Sequence, residues 1–133
     1  MAGQPDLTGW LVFDVTDLKL DDNTVHEGDS FDITVDFTGT GGIWTLLEQL
    51  SITATTKFYA EGMGIGAGEY DLGSKDTPLV PNTGSYSETL TVDTSAATTA
   101  LAEGVYRIQC LVQVLNSGIM GYYGEDLLLS VYD

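Results

Sequence analysis

Apolar and polar residues alternate strictly over residues 30–38. The apolar members of this run are Phe31, Ile33, Val35 and Phe37. A period of two predicts a half-buried antiparallel strand. A second alternation covers residues 106–115, where the side chains of both faces are partly apolar. This mixed pattern predicts a central strand that is covered on both sides.

Five weaker runs complete the pattern, at residues 10–15, 18–20, 51–61, 86–92 and 127–132. Turn residues separate these runs, and the two helical candidates, residues 44–50 and 95–102, are short. Seven short strands in a chain of 133 residues predict an all-β antiparallel sandwich. We expect one sandwich domain over residues 9–133, preceded by an N-terminal extension at residues 1–8.

Two stretches carry a family resemblance. Residues 25–35 read Val-His-Glu-Gly-Asp-Ser-Phe-Asp-Ile-Thr-Val, and residues 101–108 read Leu-Ala-Glu-Gly-Val-Tyr-Arg-Ile. The first resembles the turn and B strand of bacterial immunoglobulin-like modules, including the cell-adhesion-related group, and the second resembles their E–F turn and F strand. The resemblance implies an immunoglobulin-like antiparallel β-sandwich in which the hydroxyl of Tyr106 anchors the E–F corner.

The chain is strongly acidic, with 20 acidic residues, four basic ones and a formal net charge of -16. Nucleic acids and anionic membrane surfaces require a clustered basic patch, so both are excluded as partners. The first residues lack the basic and apolar regions of a signal peptide. We therefore expect a cytoplasmic protein, or an extracellular one if the chain is a mature form or an excised module.

Residues suited to catalysis are few. His26 is the only histidine and lies among turn residues, while Cys110 alternates with apolar residues and is expected to be a buried, inert thiol. A single cysteine also forms no intrachain disulfide. The chain contains no Gly-x-Ser-x-Gly motif. We expect a protein that is not an enzyme and has no catalytic residues.

The acidic loops offer a possible cation site. If the strands follow immunoglobulin-like order, the A–B, C–D and E–F connections share one end of the sandwich. The carboxylates that would converge there are Asp21, Asp22, Glu69, Asp71 and Glu103. Because carboxylate oxygens are the ligands that calcium prefers, calcium is the one candidate cofactor. The alternative is that these side chains form a solvated rim.

Apolar residues in two loops indicate a binding surface. Residues 116–125 contain Ile119, Met120, Tyr122 and Tyr123, and residues 39–44 would bring Ile43 and Trp44 to the same end. The alternative is that Tyr122 and Tyr123 fold back over the core. Glycine alternates with other residues over 62–68, which indicates either a loop or a flat edge where Met63 and Ile65 contact another chain.

These features favour a non-catalytic protein-interaction or self-assembly module that uses apolar loops or strand edges on an acidic sandwich. Its partner would be a protein, including a second copy of the same chain. The alternative is a carbohydrate-binding module whose aromatic residues stack on sugars, with a structural calcium ion. The aromatic residues of that alternative are Trp10, Trp44, Tyr59, Tyr70, Tyr122 and Tyr123.

Overall fold

The computed structural model describes residues 10–64, 68–96, 100–114, 118–124 and 127–133. These residues form nine strands in two sheets and a helix, α1 (Gly42–Gln49), that connects the third and fourth strands. The strands are β1 (Val12–Leu20), β2 (Thr24–His26), β3 (Ser30–Thr40), β4 (Thr53–Gly62), β5 (Glu69–Pro78), β6 (Ser85–Asp93), β7 (Gly104–Val114), β8 (Ile119–Tyr123) and β9 (Leu128–Tyr132). The expected N-terminal extension, residues 1–8, lies outside the described residues.

The sheets have three and six strands. The smaller has the order β1-β3-β6, and the larger has the order β2-β9-β7-β4-β5, with β8 added to β7. All neighbours are antiparallel except β2 and β9, which are parallel. Strand β7 pairs with β4 on one edge and with both β8 and β9 on the other. The predicted central strand is therefore confirmed.

The predicted strands are recovered, and two of them merge. Residues 12–15 of the first predicted run and residues 18–20 belong to the single strand β1, whose register is irregular between Val15 and Asp17, while residues 10 and 11 are not in a strand. The helix predicted at residues 44–50 is confirmed as α1. The second predicted helix, residues 95–102, is wrong where the structure describes it, because residues 95–96 and 100–102 are not helical. Within the described ranges, no helix is long and apolar enough to cross a membrane.

Three strands are absent from the prediction, and each has a physical reason. Strand β2 has only three residues. Strand β5 lies at the sheet edge and buries only Leu72 and Thr77, so its polar sequence lacks a clear alternation. Strand β8 contains a glycine and is flanked by turn residues, which is why residues 116–125 were expected to be a loop.

The core fills the space between the sheets. The apolar positions of β3 and β7 that alternate in the sequence are all buried. Cys110 belongs to this core and is fully buried, and its burial raises the pKa of the thiol to about 12. A thiol with so high a pKa is not a thiolate at neutral pH, so the predicted inert cysteine is confirmed.

Tyr106 forms the corner that the family resemblance implies. Its buried ring lies at the start of β7, and its hydroxyl donates a hydrogen bond of 2.7 Å to the carbonyl of Ala102. We expect Tyr106→Phe to lower the free energy of unfolding by about 1–2 kcal/mol, because it leaves that carbonyl unpaired. Urea denaturation tests this, with Tyr70→Phe as the control for loss of a hydroxyl from a neighbouring ring. Equal stability of the two variants would contradict the role of the corner.

The connections lie at two opposite ends of the sandwich. One end contains α1 and the β5–β6 connection, where the Gly39 N–H donates to the Gly84 carbonyl at 2.8 Å. The other contains the β4–β5 and β6–β7 connections, and there the Met63 N–H donates to the Val105 carbonyl at 2.9 Å. Strand β8 pairs with the half of β7 that is nearer to α1.

Candidate interaction face

The outward side of the three-stranded sheet, which we call the polar face, consists of the outward side chains of β1, β3 and β6. Apart from Val12 at one end, they are hydroxyls, carboxylates and Lys19. Thr34 and Thr89 share a hydrogen bond of 2.9 Å across this face. The three strands together contain one basic residue, Lys19, and six acidic residues: Asp14, Asp17, Asp32, Asp36, Glu88 and Asp93.

The outward side of the six-stranded sheet is different. We call the outward side chains of β4, β7, β8 and β9 the mixed face. These four strands contain only three charged residues, Lys57, Glu61 and Arg107. Apolar and aromatic side chains occupy many of the other positions: Tyr59, Val105, Leu111, Met120, Tyr122, Leu128 and Tyr132. Acidic side chains are thus few on these four strands, and those of this sheet lie mainly on the edge strand β5, which carries Glu69, Asp71 and Asp76.

Strand β8 carries the most exposed apolar side chains of the mixed face. Met120 is opposite Gln113 and Tyr122 is opposite Leu111 in the β7–β8 register. Their exposed fractions are 59% and 60%. Exposed Met and Tyr side chains at neighbouring positions of one strand are typical of protein interfaces.

Tyr122 and Tyr123 differ in exposure, so the alternative of folding back over the core applies to Tyr123 alone. Successive side chains of a strand point to opposite faces, so Tyr122 is exposed while Tyr123 packs against the core. Ile119 also packs against the core. Of the four apolar residues predicted in this segment, Met120 and Tyr122 are therefore available to a partner, and Ile119 and Tyr123 mainly stabilise the fold.

Gly121 lets β8 approach the opposite sheet closely. A Cβ atom at this position would lie 2.7 Å from Val15 Cγ2 and 2.8 Å from Phe13 Cε2. Because only glycine avoids this overlap, β8 lies directly against β1 at the corner of the sandwich. This contact holds β8 in place and leaves Met120 and Tyr122 on the outside.

The expectation that Trp44 is an exposed anchor is wrong. Trp44 lies on α1 with an exposed fraction of 1%, and its ring centroid is 5.4 Å from that of Phe13 and 6.2 Å from that of Tyr86. The segment forms a helix whose apolar side faces the core. Ile43, on the same helix, is partly exposed but lies outside the mixed face.

The glycine-alternating segment is a loop where the structure describes it. The N–H of Gly62 donates to the carbonyl of Gly68 at 2.9 Å, which closes the β4–β5 connection. Met63 is exposed, but it lies at the end of the sandwich remote from β8. Ile65 lies outside the described residues.

The five acidic residues expected to bind calcium do not form a cluster. Among the described residues, no three His, Cys, Asp or Glu side chains come together in a group that could hold a metal ion. Asp21 instead accepts hydrogen bonds from the backbone N–H groups of Asp22 and Asp32, both at 2.9 Å. Asp71 accepts one from the N–H of Gly73 at 2.9 Å. Asp71 thus stabilises a local turn, and Asp21 links the turn after β1 to strand β3. Asp22, Glu69 and Glu103 likewise belong to no group of described residues that could hold a metal ion.

His26 lies at the surface, as predicted. Its Nδ1 is 4.0 Å from a carboxylate oxygen of Asp29, and its ring packs edge-on against Tyr132 with centroids 5.3 Å apart. His26 lies near the Gly104 end of β7, because β2 pairs with β9 and β9 pairs with that end. Cys110 is buried six residues further along β7. The histidine and the thiol are therefore not neighbours.

The sequence prediction missed several residues of the mixed face, including Val105, Leu111 and Leu128. Leu111 had a visible signal, since it interrupts the polar side of the alternation over residues 106–115. Val105 and Leu128 are identified only by the register of β7 and β9, which places them outward. The pairing of strands, rather than any motif, brings this surface together.

Comparison with known proteins identifies the fold. No protein-family model matches the chain, and no curated protein matches it. Among solved structures it is similar to the CARDB domain of a Pyrococcus furiosus protein, solved in complex with di-metal ions, at 17% identity, 92% coverage of each chain and a TM-score of 0.49.

Two larger enzymes contain a similar domain. A β-glucosidase from Erythrobacter marinus matches 91% of this chain at 10% sequence identity and a TM-score of 0.55. An alkylpurine DNA glycosylase from Pseudomonas fluorescens also matches 91% of this chain, at 8% sequence identity and a TM-score of 0.50. The chain covers only 15% and 30% of those proteins. At such identities the likeness shows the fold alone, and the protein is an immunoglobulin-like β-sandwich.

Proposed function

We propose that this domain is a non-catalytic protein-association module whose first partner is a second copy of itself, bound through the mixed face. The observation that carries the proposal is the unequal distribution of charge. The outward positions of β1, β3 and β6 carry five acidic residues and one basic one, since Glu88 lies opposite the buried Val35, whereas the mixed-face strands contain one acidic and two basic residues.

Electrostatics favours this face over the rest of the surface. Two copies that each carry a net charge of -16 repel one another. Contact through the mixed face at β8 keeps most carboxylates away from the interface and buries the exposed side chains of Met120 and Tyr122. Because salt screens the remaining repulsion between exposed charges, association should strengthen as the ionic strength rises.

Two substitutions to lysine, one on the mixed face and one on α1, test the role of the mixed face. We expect Tyr122→Lys to weaken self-association at least tenfold, because the lysine must be desolvated at the interface. Leu46→Lys is the matched control, since Leu46 is 53% exposed on α1 and the change in net charge is the same. Sedimentation velocity over a concentration series measures both. Equal effects of the two substitutions would contradict binding through the mixed face.

Carbohydrate binding is the second candidate function. Its predicted aromatic set is dispersed, because Trp44 is buried and Tyr123 packs against the core. Tyr59 and Tyr122 nevertheless lie on the mixed face, on either side of β7. Calorimetric titration with a panel of oligosaccharides would support this candidate if heat of binding were seen and lost in Tyr122→Ala. No heat with any glycan would count against it.

A further inference from the structure

We infer that the second copy joins through β8, so that the two β8 strands pair antiparallel about a two-fold axis at Gly121 and the two six-stranded sheets become continuous. This inference rests on the proposed function and specifies its interface. It depends on the direction of the backbone groups of β8, on the lack of charge in this strand and on the residue at its centre.

The hydrogen-bond pattern of β7 fixes the direction of the backbone groups in β8. The N–H of Ile108 donates to the carbonyl of Leu127, so Ile108 directs its backbone groups toward the edge that β8 and β9 occupy. The carbonyl of Val105 accepts from the N–H of Met63, on the opposite edge. Backbone direction alternates along a strand, so Cys110 and Val112 also face β8.

The partners of these residues in β8 follow from the register. Cys110 is opposite Tyr123 and Val112 is opposite Gly121, so Tyr123 and Gly121 exchange hydrogen bonds with β7. The amide and carbonyl groups of Met120 and Tyr122 therefore point away from β7. In the part of the chain that the structure describes, β8 pairs with no other strand. Four backbone groups thus line an open edge.

The other edges of the sheets are protected against strand addition. At the far side of the larger sheet, β5 carries Asp71, Lys75 and Asp76, ends at Pro78, and has an irregular register. Charges, proline and bulges of this kind oppose edge-to-edge pairing. At the other end of the order, β2 has only three residues.

The edges of the smaller sheet have similar protection. Strand β1 carries Asp14, Asp17 and Lys19 and contains the irregularity after Val15. Strand β6 has a charged residue, Glu88, at a register position opposite the buried Val35. By contrast, the sequence of β8 is Ile-Met-Gly-Tyr-Tyr, without any charged residue. Strand β8 has five residues against three in β2, and it has none of the charged residues, proline or register irregularity that protect β1, β5 and β6.

A two-fold axis at Gly121 pairs all four open backbone groups. Met120 then lies opposite Tyr122 of the partner subunit, and Tyr122 lies opposite the partner's Met120. Each of these pairs exchanges two backbone hydrogen bonds. On the mixed face, each thioether lies beside a tyrosine ring, which is a favourable cross-strand pair. At the axis the two glycines add no side chains to the inward side of the paired strands, which packs against β1.

The expected dimer is weak. Five residues a side form an interface smaller than the standard size of stable complexes, about 800 Å² per partner. A concentration-dependent equilibrium between monomer and dimer follows, which is the reason for testing the geometry by covalent trapping.

Disulfide trapping tests the register directly. In the inferred dimer, positions 120 and 122 of different copies are directly opposite, within the range of about 4.4–6.8 Å between Cα atoms that a disulfide requires. Identical positions are diagonal neighbours, about 7–8 Å apart. We expect a mixture of Met120→Cys and Tyr122→Cys proteins to form at least fivefold more disulfide-linked heterodimer than either protein forms of homodimer. The buried Cys110 does not compete, and the unmodified chain serves as the control.

A backbone substitution provides an independent test. Met120→Pro removes an N–H that points away from β7, so the pairing of β8 with β7 is retained. We expect it to weaken self-association at least tenfold, whereas Met120→Leu, which keeps the N–H, changes it by less than about threefold. Circular dichroism establishes that each variant is folded. If Met120→Pro does not fold, the yield of mixed disulfide from the Met120→Cys and Tyr122→Cys proteins tests β8 pairing alone.

The outcomes separate this inference from the proposed function. A chain that stays monomeric at every concentration and salt overturns both. Association that is lost in Tyr122→Lys, but shows no preference for mixed disulfides and is unaffected by Met120→Pro, overturns β8 pairing and leaves binding through the mixed face intact. A preferred mixed disulfide together with loss of association in Met120→Pro supports β8 pairing.

Discussion

Replacing Trp44 by alanine is expected to lower the free energy of unfolding by about 3–5 kcal/mol. The indole is almost fully buried between Phe13 and Tyr86, so its removal leaves a large cavity. Urea denaturation measures the loss. Leu46→Ala is the control on the same helix, and because Leu46 is exposed it should change stability by less than about 1 kcal/mol. Similar losses in both variants would contradict the structural role of Trp44.

The packing of the Trp44 indole over Gly39 provides a second test of the structural role of Trp44. A Cβ atom at Gly39 would lie 2.0 Å from Trp44 Cδ2, so Gly39→Ala must displace the indole. We expect it to be destabilising in the natural background and much less so in Trp44→Ala, where the space is empty. Additive effects of the two substitutions would show that they do not act through a shared contact.

Replacing Glu48 by alanine is expected to cost about 2–3 kcal/mol. Glu48 is nearly fully buried, and its Oε2 accepts hydrogen bonds from the Tyr86 hydroxyl at 2.6 Å and from the Gly84 N–H at 2.8 Å. The same hydroxyl accepts the N–H of Val80 at 2.9 Å. This carboxylate therefore joins α1 to the β5–β6 connection. Its loss leaves the Gly84 N–H without an acceptor, and the Tyr86 hydroxyl keeps only the Val80 carbonyl, at 3.1 Å, as an acceptor. Thermal or urea unfolding of Glu48→Ala and of the more conservative Glu48→Gln measures the effect.

The Glu48 contribution should depend on pH. Burial by itself would raise the pKa of this carboxyl group, but the hydrogen bonds from the Tyr86 hydroxyl and the Gly84 N–H outweigh burial and lower it from the ordinary 4.5. A group with a lowered pKa stabilises the fold above its unfolded-state value, and this stabilisation is lost as the pH falls through the folded-state value. The difference in stability between the natural chain and Glu48→Gln should therefore narrow below about pH 4.5. A difference that is constant from pH 7 to pH 3 would contradict the account.

The sequence predicts those elements whose burial follows a regular period. Strand β3 buries Phe31, Ile33, Val35 and Phe37 against one neighbouring sheet, so its alternation is directly visible. Strand β5 buries two residues only, and its formation depends on pairing with β4. Trp44 shows the limit of local analysis, because its burial requires the space above Gly39, which only the tertiary structure provides.

The candidate site was predictable only in part. The apolar composition of residues 116–125 indicated Met120 and Tyr122, which are exposed. Alternation within a strand, which the loop prediction omitted, separates them from Ile119 and Tyr123. Leu111 and Leu128 join this surface through pairing with residues that are distant in sequence. The segregation of charge between the two faces likewise appears only when the strands are arranged in sheets.

The central claim is that the chain associates with itself through a face largely free of acidic residues. Size-exclusion chromatography with light scattering tests it most directly, at several protein concentrations in low and high salt. We predict that the mass of the unmodified chain rises from 14.2 kDa toward twice that value with increasing concentration, and further in high salt. A mass of 14.2 kDa under every condition, up to millimolar protein, would contradict the claim.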